Sequence, residues 1–265
     1  MATSVTIWGK IRPCLSWAAR FTHISYIETM STYSGSWLGM LWSPLSAIVF
    51  SATLAFVFRP VAATAYVDFF LYVLIGYTFW GFVADSITGS TDVIQSRMDF
   101  ALHNNLSLGQ LYAKILVDRL FSFGLDLIAV AAIMLLLRPS GFGPATLLMG
   151  PFLLLISLAS IGGGYLVNLI TVFVPDTKVP IAVATRLLFF VSPVFWAPND
   201  AQEGPRALLV DLNPIAYFLS LPRQVLGIEA LDPWPWLVAG LFGVALGVVG
   251  YLAYVRSISV VRNLK

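Results

Sequence analysis

Long apolar runs separated by short polar stretches dominate this chain. The runs cover residues 37–58, 69–83 (reaching back to Tyr66), 120–137, 145–174, 179 onward and 236–255. A spanning helix needs about 20 predominantly apolar residues, and the six runs predict six transmembrane helices. Arg59-Pro60 stops the first and Pro175-Asp176 the fourth, because proline cannot continue a helix and restricts the residue before it. The fifth run passes into a segment broken by Pro193, Pro198, Pro205, Pro214 and Pro222 and charged by Asp200, Glu203, Arg206, Asp211 and Arg223. Broken backbone at membrane depth is tolerated only where protein buries it or water reaches it. Residues 194–233 are therefore expected to form re-entrant outer helices between the fifth and sixth spans.

The polar stretch between the second and third spans has its own order. Thr91-Asp92 is placed to cap a short helix carrying Val93, Ile94, Met98 and Leu102, and His103-Asn104-Asn105 ends it. Ser107-Leu108-Gly109-Gln110 has the capping-box pattern and starts the next helix. Glycines punctuate two of the spans. Gly162-Gly163-Gly164 predicts a kink or a close helix approach, and Gly240, Gly243, Gly247 and Gly250 lie near one face of the last span. Near the amino terminus, Ile7, Trp8, Ile11, Leu15 and Ala18 share one helical face. Residues 1–34 then read either as an amphipathic helix in the membrane interface or as a cytoplasmic tail helix. No apolar core with a small-residue cleavage site precedes the first span, so no cleavable signal is expected.

Composition sharpens this reading. Of the 265 residues, 58% are hydrophobic and 11% charged, against about 25% charged in soluble domains. The chain is expected to be one all-α polytopic transmembrane domain over 1–265, with an inner loop at 88–110. A formal charge of +2 gives no reason to expect nucleic acid. Basic residues favour the cytoplasmic side. With the amino terminus inside, the outer segments hold only Arg59, Arg138, Arg206 and Arg223 of the 15 lysines and arginines. Both termini are thus expected in the cytoplasm, with the 85–110 stretch inside and the broken segment outside.

Catalytic chemistry is sparse. Phosphate-loop, G-x-S-x-G, H-E-x-x-H and CxxC patterns are all missing from the sequence. Cys14 is the one cysteine, and His23 and His103 are the two histidines. An enzyme, a metal centre and a resident cofactor are not expected. Asp126, inside the third span, reads either as part of an ion route or as a polar contact with another helix. The inner helix reads as a docking element for a partner, through Arg97, Met98, Phe100, Leu102 and His103, or as a helix resting on headgroups. Aromatic rings at Trp42, Phe69, Tyr72, Phe79 and Trp80 suit a path for sugar rings, with ordinary core packing as the rival.

An ordered set of motifs resembles one known family, the membrane subunits of ABC-2-type exporters of O-antigen, capsule and teichoic-acid polysaccharides. Ser36-Trp37-Leu38-Gly39-Met40-Leu41-Trp42-Ser43-Pro44 resembles the start of that family's first membrane helix, and Gly76-Tyr77-Thr78-Phe79-Trp80-Gly81-Phe82 its second. Val174-Pro175-Asp176-Thr177 is similar to its acidic inner turn, and Ser192-Pro193-Val194-Phe195 with Leu212-Asn213-Pro214 to its outer landmarks. The resemblance implies a homodimer in the inner (cytoplasmic) membrane, joined by two copies of a separate ATPase that binds ATP and Mg. It implies a coupling role for the 92–105 helix, an outer gate at Pro193, Phe195, Trp196, Asn213, Pro214 and Tyr217, and a lipid-linked glycan as cargo. The alternatives are a permease of the same type for a drug or lipid, and an ion-coupled carrier resting on Asp126 and Arg186.

Overall fold

The computed structural model describes residues 23, 24, 26, 27, 37–58, 66–196 and 210–262. Among these the protein is all helical. A 3-10 turn at Gly39–Leu41 leads into α1 (Trp42–Phe58), followed by α2 (Tyr66–Thr88), the short α3 (Val93–His103) and α4 (Leu108–Leu137). A 3-10 stretch at Pro144–Leu148 leads into α5 (Met149–Phe173), and another at Pro175–Thr177 into α6 (Lys178–Val191). After the broken segment come α7 (Pro214–Val225) and α8 (Pro233–Arg262). Of the expected interfacial segment 1–34, only a few residues fall within the described set. Tyr26 there meets the edge of Phe121 on α4 at 6.2 Å.

Among the described residues, five helices are long and apolar enough to cross a membrane: Gly39–Phe58, Tyr66–Thr88, Leu108–Leu137, Pro144–Phe173 and Pro233–Ile258. The fifth predicted span differs. α6 has 14 residues, a length of about 21 Å, and stops at Val191, short of the roughly 30 Å of a bilayer core. α2 is the axis of the bundle. Two thirds (67%) of its apolar window is buried, against 17–22% for the other four. Those four present rows of exposed Leu, Val, Ile and Phe, as lipid-facing or partner-facing surfaces do.

The glycines act by close approach, and α5 runs unbroken through its glycine triplet. A methyl group added at Gly162 would collide with the Leu246 carbonyl of α8, and one at Gly250 with the backbone of Gly162. Gly243 and Gly247 receive Leu155 and Leu158, whose Cδ1 atoms stand 2.7 Å from where a Cβ would be. Gly240 meets nothing within 4 Å, so the glycine face is narrower than the spacing suggests.

Candidate functional site

Two polar clusters lie at opposite ends of the bundle, where side chains cross between helices far apart in sequence. The first surrounds α3. Its carboxyl end follows local rules. Asn105 takes φ +52°, the left-handed region that asparagine tolerates. Leu106 N–H donates to the Ala101 carbonyl (2.8 Å) and Asn105 N–H to that of Leu102 (3.2 Å), which is the Schellman arrangement. The Ser107–Gln110 capping box then starts α4 with both of its bonds present.

The amino end of α3 differs from expectation. Asp92 occupies the N-cap position without a side-chain capping bond and pairs with Lys178 at the start of α6. The Thr91 hydroxyl donates back to the Thr88 carbonyl at 2.8 Å. The cap comes from another helix. Asn168, fully buried on α5, accepts from Ile94 N–H (2.9 Å) and from the Tyr112 hydroxyl (2.7 Å). Its amide donates to Gln95 Oε1 (2.8 Å) and Thr171 Oγ1 (3.2 Å), and Thr171 Oγ1 in turn donates to the Thr91 carbonyl (2.7 Å). Arg119 adds a brace through Asp85 (3.1 Å) and Ser90 (2.8 Å).

This clamp sorts the five residues assigned to docking. Met98 and Phe100 turn inward onto the cluster of Val93, Ile94, Ala101, Leu111, Tyr112, Ile115 and Tyr165, with Lys114 Nζ 5.5 Å from the Phe100 ring centre. They are part of the chain's own packing, because α3 buries its apolar stripe on α4 and α5. Arg97 is half-exposed and reaches Asp118 at 3.8 Å. Leu102 is 61% exposed, and His103 is exposed with Nδ1 2.6 Å from the Asp99 carbonyl oxygen.

The second cluster joins the turn after α6 to α7 and α2. Asn213 caps α7, accepting from Ile215 N–H at 3.0 Å, and Pro214 takes the first helical position. The Asn213 amide also donates to Ser192 Oγ at 2.9 Å, so the Ser192-Pro193 and Asn213-Pro214 landmarks touch. At the far end of α7, Gly227 adopts φ +68°, with Gly227 N–H on the Gln224 carbonyl (3.1 Å) and Ile228 N–H on that of Arg223 (2.8 Å). Gln224, also buried, accepts from Asp232 N–H (3.1 Å) and the Trp236 indole (3.0 Å), which ties α7 to the start of α8.

Arg223 is the centre of this end. Its side chain is 1% exposed. Nη2 donates to the Pro193 (2.8 Å) and Val194 (3.2 Å) carbonyls and Nε to that of Tyr72 (3.3 Å), with Glu229 at 3.7 Å. A buried cation is retained only when paired and fully hydrogen-bonded, and here loop carbonyls, a carboxylate and an aromatic face share the task. A Cβ at Gly76 would strike Nη2, so that glycine makes room for the arginine. The Tyr72 hydroxyl donates to the Trp196 carbonyl at 3.1 Å. Of the residues assigned to an outer gate, Pro193, Phe195 and Asn213 are buried; Trp196, Pro214 and Tyr217 are partly exposed.

The five aromatic path residues separate. Phe79 is fully buried, edge-on to Phe123 at 5.1 Å and tilted against Phe152 at 5.3 Å. It is a core residue, because its position on α2 points at α4 and α5. Trp80 packs on Phe189 of α6 at 5.8 Å and borders a cavity of about 650 Å³ beside α1 and α4. Trp42 is half-exposed at the start of α1. Phe69 and Tyr72, stacked at 6.1 Å, line a different cavity of about 770 Å³ together with Tyr217. Asp126 accepts from Ser43 of α1 at 2.8 Å, a contact between helices, and borders the cavity of about 650 Å³.

Arg223 and Asn168 had a signal in the sequence: each is a strongly polar side chain within an otherwise apolar run, where such residues cost most. Their partners had none.

No family model matches this chain. Over 197 residues, which are 73% of this chain and 74% of the other, it is 25% identical to a protein of Myxococcus xanthus named O-antigen export system permease protein RfbA. The chain is a distant homologue of that protein and a polytopic helical membrane protein.

Proposed function

We propose that this chain is the channel-forming membrane subunit of an ATP-driven exporter that moves a lipid-linked polysaccharide, of O-antigen or capsule type, across the cytoplasmic membrane. The observation that carries the reading is the similarity to an O-antigen export permease over nearly three quarters of both chains, on a five-helix membrane framework. Two copies form the channel, and each seats one copy of an ATPase that holds ATP and Mg. The chemistry stays in that partner.

The α3 end faces the cytoplasm in this reading, as do both termini. α3 is the coupling helix, and Arg97, Leu102 and His103 form its docking face. The clamp by Asn168, Arg119 and Lys178 supports the role, since a helix that transmits motion must be fixed to the spans it moves. The α7 end faces outward. Tyr72, where Arg223 holds the turn after α6, lies six residues into α2, or about 9 Å along its axis. A sunken turn at that depth lets the 14 residues of α6 serve as a crossing and supports six spans with re-entrant outer helices. Trp42, Trp80, Phe69 and Tyr72 remain candidates for the glycan path.

A second reading, a permease for a lipid or drug, is favoured by an apolar cleft of about 430 Å³ between α2, α5, α7 and α8. Deleting the gene and measuring surface polysaccharide separates the two, while co-purification of an ATPase on the tagged chain tests the transporter type that both share. Loss of surface glycan with lipid-linked chains held inside supports the exporter; unchanged surface glycan refutes it.

A further inference from the structure

The cavity of about 770 Å³ at the α7 end adjoins the second cluster and adds residues that the cluster does not use. Its walls carry four aromatic rings from three helices: Phe69 and Tyr72 of α2, Tyr217 of α7 and Trp234 of α8. Trp234 is 58% exposed, so a broad apolar plane is open to a ligand. Around these rings stand Asp68, Asp211, Glu229 and Asp232, against Arg138 and Arg223. Both arginines are already committed, Arg138 to Asp68 at 2.8 Å and Arg223 to the turn carbonyls, Tyr72 and Glu229. Among the described residues, the carboxylate of Asp211 makes no hydrogen bond or ion pair, although its backbone carbonyl accepts from the Tyr217 hydroxyl at 3.1 Å. Phe69 and Tyr72 are buried, and Arg223 covers the face of Tyr72, so the rings offered to a ligand are Trp234 and the partly exposed Tyr217. Among the described residues the lining adds surplus acceptors, with a formal charge of −2 (four carboxylates, two guanidiniums).

Such a surface suits one chemistry. Sugar rings present apolar C–H faces to aromatic planes and hydroxyl donors to carboxylates. A uronate or phosphate group brought here meets like charge, with no uncommitted cation among the described lining residues to answer it, and like-charge juxtaposition is strongly disfavoured in a partly buried site. We propose that this cavity binds one or two neutral or amino-bearing sugar units and rejects acidic ones. This makes it a charge-selective subsite at the outer mouth. The proposal rests on the exporter reading for its physiological meaning and on the cavity's own chemistry for its selectivity.

The test uses the full chain with its ATPase in lipid nanodiscs. Binding of maltotetraose, of fully deacetylated chitotetraose and of tetragalacturonate is followed by saturation-transfer NMR and calorimetry. The first two are expected to bind, and the third to bind at least about tenfold more weakly. Asp211→Lys is expected to weaken the amino sugar by about tenfold and to strengthen the uronate. Its exposed, unpaired carboxylate makes it a mild change to the fold. Tyr217→Ala and Trp234→Ala are expected to weaken the neutral and amino probes alike. Equal binding of the three probes, binding of none, or an unchanged ranking in Asp211→Lys overturns the proposal. Surface glycan export is scored separately in cells, where its persistence after gene deletion contradicts the exporter reading without bearing on the ranking of the probes.

Discussion

The Arg223 guanidinium lies over the ring of Tyr72, 3.5 Å from its centre, while its nitrogens hold the carbonyls of Pro193 and Val194. One buried side chain thus fastens the turn after α6 to both α2 and α7. The three elements form a single block. A motion at this end carries the turn with α2 instead of hinging it freely.

Removing that block is expected to cost more than its area suggests. Arg223→Met leaves the Val194 carbonyl without its donor, the Pro193 carbonyl with only the long 3.4 Å bond from the Tyr72 hydroxyl, and the Tyr72 face without its cation. Charge-assisted bonds contribute about 1.5–3 kcal/mol each and a desolvated cation–π contact about 2. The variant is expected to lose at least roughly 3 kcal/mol in detergent unfolding. Arg223→Lys is expected to recover only part, because an ammonium cannot span three carbonyls in one plane. Equal stability of the lysine variant and wild type would contradict the pin.

Gly76→Ala tests the same contact from the other side. The added methyl meets Nη2, so the guanidinium must leave the turn. Thermal unfolding and a crosslink between positions 72 and 193 are expected to report the same loss as Arg223→Lys. Gly81→Ala, where nothing lies within 4 Å, serves as the neutral comparison.

At the other end, Asn168→Leu keeps the volume but removes the tertiary cap of α3. Leaving the Ile94 N–H and the Tyr112 hydroxyl unsatisfied is expected to cost about 1–3 kcal/mol for each. Hydrogen exchange in 93–103 is expected to rise at least tenfold while α5 and α8 stay protected. Unchanged exchange in α3 would show that Asn168 does not hold it.

Leu102→Asp separates docking from packing. Leu102 is exposed and Met98 is not. The aspartate variant is expected to insert and unfold as wild type does, yet to lose its ATPase in a pull-down. Met98→Asp is expected to destabilise the protomer itself, and so reports on folding.

Five of the six expected spans, the capping box, the end of α3 at Asn105 and the close-packing glycines of α5 and α8 were legible in the sequence, because each depends on residues within a few positions or on a repeating face. The clamps were not. Tyr72 and Arg223 are 151 positions apart, and Ile94 and Asn168 are 74. No local pattern encodes such pairs, so the lone polar residues showed while their partners did not. Thr91-Asp92 misled for the same reason: a suitable cap was present nearby, but a buried amide on another helix took its place. Phe79 looked like its neighbours Tyr72 and Trp80 by type and spacing. Only the packing of α4 and α5 on α2 separates the core ring from those that border cavities.

The most direct test is transport itself. Inverted membrane vesicles holding this chain and its ATPase are given a radiolabelled lipid-linked polysaccharide on the outside, and glycan protected from an added glycosidase is measured with and without ATP. The account predicts ATP-dependent protection that disappears in Leu102→Asp. Glycan that stays fully accessible in ATP, with the ATPase bound and hydrolysing, would contradict it.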